Sequence, residues 1–341
     1  MRTVENSLSP SKTQAPSLFL ERMQFFYELF PYPNRPIFLK PNPKGSIDAH
    51  AGFAQILAGN SEIPAGSRID DLQLRDVRHA FSINKRIALV GCGTDEPLLF
   101  RTLHPHNPMV AIDLSHRSLL RAERKIRWHQ LKPVTLVHGD AETVLKREGL
   151  FDHIQCFGVL HHQPHPKKLL KTMAESMNSG GTLRLMIYSS NGRRLERGLQ
   201  KKFNALWRDI LPHVSERQPS SKMIKLKITW ASLKLLCWRL LLPVAASAAK
   251  SGRFRYIGLS RARVADALLH PSDHALSLRD TLTWAGKYGL RLVSFRAKSY
   301  DLGWMEAHTH LQTPLQTLVA EEERGNISTN IVLVFQKVGS I

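Results

Sequence analysis

From residue 86 onward, short apolar runs alternate with amphipathic stretches. RIALVG (86–91), MVAID (109–113), VTLVHGD (134–140), FDHIQCFG (151–158) and GTLRLMIYS (181–189) are the apolar runs. TDEPLLFRTL, SHRSLLRAERKIRWHQ, AETVLKRE and PKKLLKTMAESM separate them and carry helical periodicity. Continuous apolar runs joined by helices are the pattern of parallel strands buried on both faces and linked by right-handed crossovers. The pattern predicts an α/β fold, a doubly wound and mostly parallel sheet. The alternation stops after residue 190. It resumes with a helix, LSLRDTLTWAGKYG (276–289), and two strands, LRLVSFRAK (290–298) and TNIVLVFQK (329–337), for seven strands in all. Residues 299–328 show no obvious helix, which predicts an antiparallel, hairpin-like edge built from the last two strands.

The flanks read differently. Residues 1–16 are polar and aperiodic, the composition of a flexible tail. Residues 17–80 form a helical and Pro-rich cover: a helix over 17–30, a draped segment in which Pro31, Pro33, Pro36, Pro41 and Pro43 forbid a helix, and helical pattern again over 46–80. Residues 81–190 and 276–341 are then the two halves of the sheet domain, and 191–275 a helical insertion between them.

Length and composition narrow the class. A chain of 341 residues that is 43% hydrophobic and 22% charged is long enough for a full core, and is neither disordered nor collagenous. Cys92, Cys156 and Cys237 are too sparse for a disulfide framework or a CxxC zinc signature, and the first 30 residues lack an apolar core of a signal peptide. Both point to a reducing, cytoplasmic setting. The net charge of +20 is uneven: residues 191–275 carry 17 Lys and Arg against 5 Asp and Glu. A basic insertion fits polyanions, whether nucleic acid, anionic lipid or phosphorylated substrates. Its segment 221–242 is apolar almost all round, which suits a lid helix, a homodimer contact, or peripheral membrane contact through 221–249. Nucleic acid is the less favoured partner, because few aromatics stand among the charges.

Ligands of open α/β sheets bind beyond the carboxyl ends of the strands. After the first strand stand Gly91, Cys92, Gly93, Thr94, Asp95 and Glu96. The glycines permit a tight turn and close approach to the backbone. A dinucleotide fingerprint has glycine where Glu96 stands, and two carboxylates at a helix start suit the dipole but repel a diphosphate. The ligand at this end is expected to be neutral or cationic. Asp113, followed by Leu114, ends the second strand, where a carboxylate can take both ribose hydroxyls. Asp140, followed by Ala141, ends the third and can accept from an exocyclic amine. Phe157 and Gly158 end the fourth, before Val159, Leu160, His161 and His162.

The segments VGCGTDEP (90–97), AIDLS (111–115), GDAET (139–143), FDHIQCFGVLHH (151–162) and GGTLRLMIY (180–188) resemble those of the class I S-adenosylmethionine-dependent methyltransferases, over roughly residues 80–190 and 276–337. The likeness is greatest to the branch called types 11 and 12. It does not extend to enzymes that methylate nucleobase amines, since no Asn/Asp-Pro-Pro-Tyr stands at 157–160. FYELFPYPNRP (26–36) and DALLHPSDHALSLRDTL (266–282) resemble flanking segments of one subgroup of that branch. The resemblance implies S-adenosylmethionine as cofactor, held by Gly91, Cys92, Gly93, Asp113, Leu114, Asp140 and Ala141, with Phe157 and Gly158 along its edge. Asp95 departs from the family, which has glycine there. The implied reaction is in-line methyl transfer to a small-molecule acceptor, with 191–275 as its lid. Two alternatives stay open: an RNA or protein acceptor recruited by the basic insertion, and a non-catalytic relative that only binds. Candidate bases are His161, beside His162, and His270 in HPSDH, where Asp273 accompanies it; capping or packing is the plainer role of each. Tyr32, with Tyr27, lines the acceptor pocket or packs the cover on the sheet. His308 and His310 have no third ligand nearby, so no metal is expected.

Overall fold

The computed structural model describes residues 18–39, 85–189, 266, 270–271, 276–307, 311–327 and 330–339. The tail, the helical pattern over 46–80, nearly all of the insertion, and His274, His308 and His310 lie outside the described residues. The chain enters through helix α1 (Leu18–Leu29) and passes to strand β1 (Ile87–Val90), α2 (Glu96–Leu103), β2 (Met109–Asp113), α3 (His116–Trp128), β3 (Thr135–His138), α4 (Ala141–Glu148) and β4 (Phe151–Phe157). A 3-10 turn (Leu160–His162) leads to α5 (Pro166–Glu175) and β5 (Met177–Ile187). After residue 275 come α6 (Leu278–Lys287), β6 (Leu290–Ser299), β7 (Gly303–Ala307), α7 (Gln312–Arg324) and β8 (Ile331–Lys337).

These strands form one sheet in the order β3-β2-β1-β4-β5-β8-β6-β7. The first five are parallel; Val90 pairs with Ile112 on one side and Cys156 on the other. β8 runs antiparallel to both β5 and β6. Successive side chains of a strand point to opposite faces. Ala88, Val90 and Ile112 therefore pack with Val144, Leu169, Leu278 and Leu318 of α4, α5, α6 and α7, while Ile87, Leu89 and Ala111 pack with Phe100 and Leu119 of α2 and α3. Helices cover both faces, which is why β1 and β2 are buried at every position.

The sheet has eight strands, one more than the seven predicted, and the edge is built differently. The hairpin joins β6 to β7, with Lys298 opposite Trp304. Ser299 Oγ closes the intervening turn by accepting from the backbone N–H of Asp301 and Leu302. α7 then returns the chain so that β8 inserts between β5 and β6. Pro314 and the acidic run AEEER hide α7 in the sequence; a proline is harmless within the first helical turn. Among the described residues, no helix is long and apolar enough to cross a membrane.

The helix predicted over 17–30 is α1. Its Met23 and Phe26 are buried, as is Phe30 just after it, and it lies against α3. Ser115 Oγ donates to the Tyr27 carbonyl at 3.2 Å, and Arg117 donates to the Glu28 carbonyl at 2.9 Å. Residues 31–39 leave α1 through a bend and a turn, with the Tyr32 carbonyl and the Asn34 N–H meeting the turn after β1.

Candidate active site

The turn after β1 sets the geometry. Gly91 and Gly93 have φ of +62° and +55°, where side chains other than glycine are strained. A Cβ on Gly91 would stand 2.2 Å from Val159 Cγ2, and one on Gly93 would stand 2.6 Å from the Tyr32 carbonyl. The sequence suggested that the glycines admit a ligand. On the side a Cβ would occupy, their neighbours are the protein's own loop after β4 and its N-terminal strap. Thr94 N donates to the Tyr32 carbonyl at 2.9 Å, and Asn34 N donates to Thr94 Oγ1 at 3.3 Å, which seats the strap on the turn.

Asp113, at the end of β2, is 8% exposed. Its Oδ2 accepts from Gly93 N and its Oδ1 from Ser115 N, both at 2.8 Å. Burial pushes its carboxyl up to about 6, against the opposing pull of those two N–H groups. Each oxygen keeps a second lone pair for a ligand hydroxyl. Asp140 caps α4: its Oδ2 accepts from Thr143 N at 3.1 Å. Gly158 has φ +71°, which turns the chain sharply out of β4.

These groups surround one cavity of about 560 Å³, within the range of small-molecule sites. Gly91, Cys92, Gly93, Asp113, Leu114, Asp140, Ala141, Phe157 and Gly158 all line it, as does Tyr32. His161 and His270 do not; they are buried behind the wall at 0% and 1% exposure, and His162 lines the cavity instead. His162 and His270 stack with ring centroids 3.6 Å apart, and His161 packs on Tyr188 at 3.8 Å. Tyr27 Oη lies 3.0 Å from His270 Nε2, and Tyr188 Oη reaches Asp266 Oδ2 at 3.5 Å. Burial first, then the charge of Asp266, pushes the Tyr27 phenol well above its usual range, so it stays protonated at neutral pH.

The two carboxylates at the start of α2 behave differently from the sequence expectation. Asp95 makes no helix-capping side-chain bond; it forms ion pairs with Lys125 of α3 and, at 2.5 Å, with Arg35 of the strap. Glu96 is pushed up to about 8 by burial, opposed by a hydrogen bond from Gln155 Nε2 at 3.2 Å and by the charge of Arg184. One carboxylate is thus neutralised by two cations and the other holds its proton near neutrality. The predicted repulsion of anions at this helix start does not follow from these two residues.

Arg35, Lys125, Tyr188 and Asp266 line the cavity and were not singled out from the sequence. Tyr188 was within reach of the strand-end rule, being the residue after β5. The two cations carried no signal, because their role is to hold Asp95.

The fold, with a cavity at the carboxyl ends of the parallel strands, resembles that of the class I S-adenosylmethionine-dependent methyltransferases. Residues 89–185 match the family described as "Methyltransferase domain". An uncharacterized Synechococcus protein, syc1184_c, is 33% identical over 118 residues, 34% of this chain and 28% of that protein. PKMT2 from Rickettsia typhi is similar in fold, with a TM-score of 0.54 at 15% identity, over 86% of this chain and 54% of that one. Its structure in complex with AdoHcy gives a TM-score of 0.50, over 86% and 53%. The chain spans about half the length of PKMT2 and less than a third of the Synechococcus relative.

Proposed function

We propose that the protein binds S-adenosylmethionine in the cavity above β1, β2 and β4 and transfers its methyl group to a small-molecule acceptor. The observation that supports this best is the buried Asp113 carboxylate, fixed by Gly93 and Ser115 at the cavity wall. In that position it accepts from the two ribose hydroxyls, and Asp140 accepts from the adenine amine. Gly158, lacking a side chain, leaves room beside Phe157 for the nucleoside edge. When bound, the cofactor supplies a methyl group already activated by positive sulfur. The chain's own part is then alignment, holding a nucleophile about 3 Å from that carbon and in line with the departing sulfur.

Tyr27, Tyr32, Tyr188, His162 and Asp266 line the part of the cavity that remains for the acceptor. Tyr27 is kept protonated, so it positions by hydrogen bonding and does not abstract a proton. His162 is the imidazole placed to receive a proton from a hydroxyl or ammonium acceptor. His161 and His270, set behind it, orient the wall.

Calorimetry with S-adenosylhomocysteine tests the cofactor half of this reading. Micromolar binding is the expected result, and no binding at millimolar ligand would leave a non-catalytic relative. The acceptor half is tested with radiolabelled methyl donor in a cell extract, fractionated by size. Label in small solutes is expected; label in RNA or protein would transfer the reading to a macromolecular acceptor recruited by the basic insertion.

A further inference from the structure

We propose that His162, Asp266 and His270 form a binding site for a divalent transition cation of the zinc type, in the cavity wall beside the end of β4. One ligand atom of each residue lies within 4.8 Å of both others. They converge from two distant parts of the chain: the 3-10 turn after β4 supplies His162, and the segment before α6 supplies the other two. His162 and His270 are 3% and 1% exposed, and Asp266 is partly buried.

Two imidazoles and one carboxylate suit zinc, cobalt, nickel and iron(II), whereas calcium and magnesium prefer oxygen alone. Tetrahedral coordination at about 2.1 Å sets ligand atoms about 3.4 Å apart. Closing the set draws the ligand atoms together and turns one imidazole out of the His162–His270 stack, so that both ring lone pairs meet at the metal. A second shell is already present. Ligating histidines usually bond an oxygen through their other ring nitrogen, and ligating carboxylates are themselves hydrogen-bonded. Tyr27 Oη stands 3.0 Å from His270 Nε2, and Tyr188 Oη stands 3.5 Å from Asp266 Oδ2. Three protein ligands leave the fourth position open, the arrangement of sites that take water or a substrate oxygen. His162 and Asp266 line the cavity, so the open position gives onto its contents.

The site shares His162 and Asp266 with the acceptor wall of the proposed methyl transfer, and one experiment tells metal binding and cofactor binding apart. Full-length protein, stripped with a chelator, is titrated with Zn²⁺ by calorimetry and with Co²⁺ by visible absorption. One Zn²⁺ per chain is expected at this site, with the d–d bands of tetrahedral cobalt. Asp266→Asn and His162→Gln keep side-chain size and are expected to weaken that binding at least about tenfold. Zn²⁺ is expected to raise the unfolding temperature of the wild type and not of the variants. Equal zinc affinity in wild type and both variants, or no bound zinc, would overturn the site. S-adenosylhomocysteine is titrated into the same samples. Its binding without zinc removes the metal site and leaves the proposed function, and zinc binding without it does the reverse.

Discussion

Gly93 N–H donates to Asp113 Oδ2 at 2.8 Å, tying the turn after β1 to the end of β2. The bond fixes the carboxylate against the cavity in one orientation. Removing it acts on ligand binding and on the turn together. Asp113→Ala is expected to weaken S-adenosylhomocysteine binding by about 1.5–3 kcal/mol, the scale of a hydrogen bond to a charged group. Calorimetry reads it directly, and unchanged affinity would remove Asp113 from the ribose.

The same carboxylate sets a pH dependence. Burial places its folded value at about 6, above its ordinary 3.8. Hydroxyl donors prefer the ionised form. Affinity for S-adenosylhomocysteine is therefore expected to be full above about pH 7 and to fall as pH drops through 6. For folding the sign is opposite: a raised carboxyl value means that stability declines as pH rises from about 4 to 6. Affinity that is flat from pH 7 to about 5 would contradict the ionised contact.

Glu96 gives a second titration, at higher pH. The folded protein keeps a proton that the unfolded chain releases near 4.5, up to about 8. Stability is lost through that window as pH rises, and the loss levels off above it. Glu96→Gln removes the titrating proton while keeping the shape and the neighbouring Gln155. The stability difference between variant and wild type is expected to move in favour of the variant by a few kcal/mol between about pH 5 and pH 9. Denaturant unfolding at the two pH values measures it.

Lys125 is 2% exposed and Asp95 is held between it and Arg35. Lys125→Met leaves Asp95 with the more exposed Arg35, which limits the cost. A double-mutant cycle of Lys125→Met with Asp95→Gly is expected to give a coupling energy of about 1–3 kcal/mol. Additive single effects would mean that the pair contributes nothing.

Gly93→Ala tests the seating of the strap. The new Cβ would meet the Tyr32 carbonyl at 2.6 Å, at a positive φ that disfavours alanine. The variant is expected to lose about 1–3 kcal/mol of stability, the cost of a strained backbone position. Hydrogen exchange at Thr94 N–H should accelerate with it.

The centre of the parallel half was legible because β1 and β2 are buried on both faces. Ile87–Val90 and Met109–Asp113 contain scarcely a polar residue to blur the pattern. The edge was not, because β7, GWMEA, has no continuous apolar run, and Pro314 and the acidic run after Val319 mask α7. That Asp113 and Asp140 border the cavity could be read from position, since one ends β2 and the other caps the helix just after β3. Arg35, Lys125 and Asp266 could not: they act through partners distant in sequence, and only folding brings them together. Asp95 shows the same limit. Its type was visible, but not the two cations that cancel its charge.

The strand-end residues of the cavity, Gly91 to Gly158, lie in one unbroken stretch of chain, whereas Tyr27, Tyr32, Tyr188, Asp266 and Asn330 reach it from other elements. That partition has an evolutionary corollary. The stretch from Gly91 to Gly158 can stay constant while changes in the other elements reshape the cavity beside it.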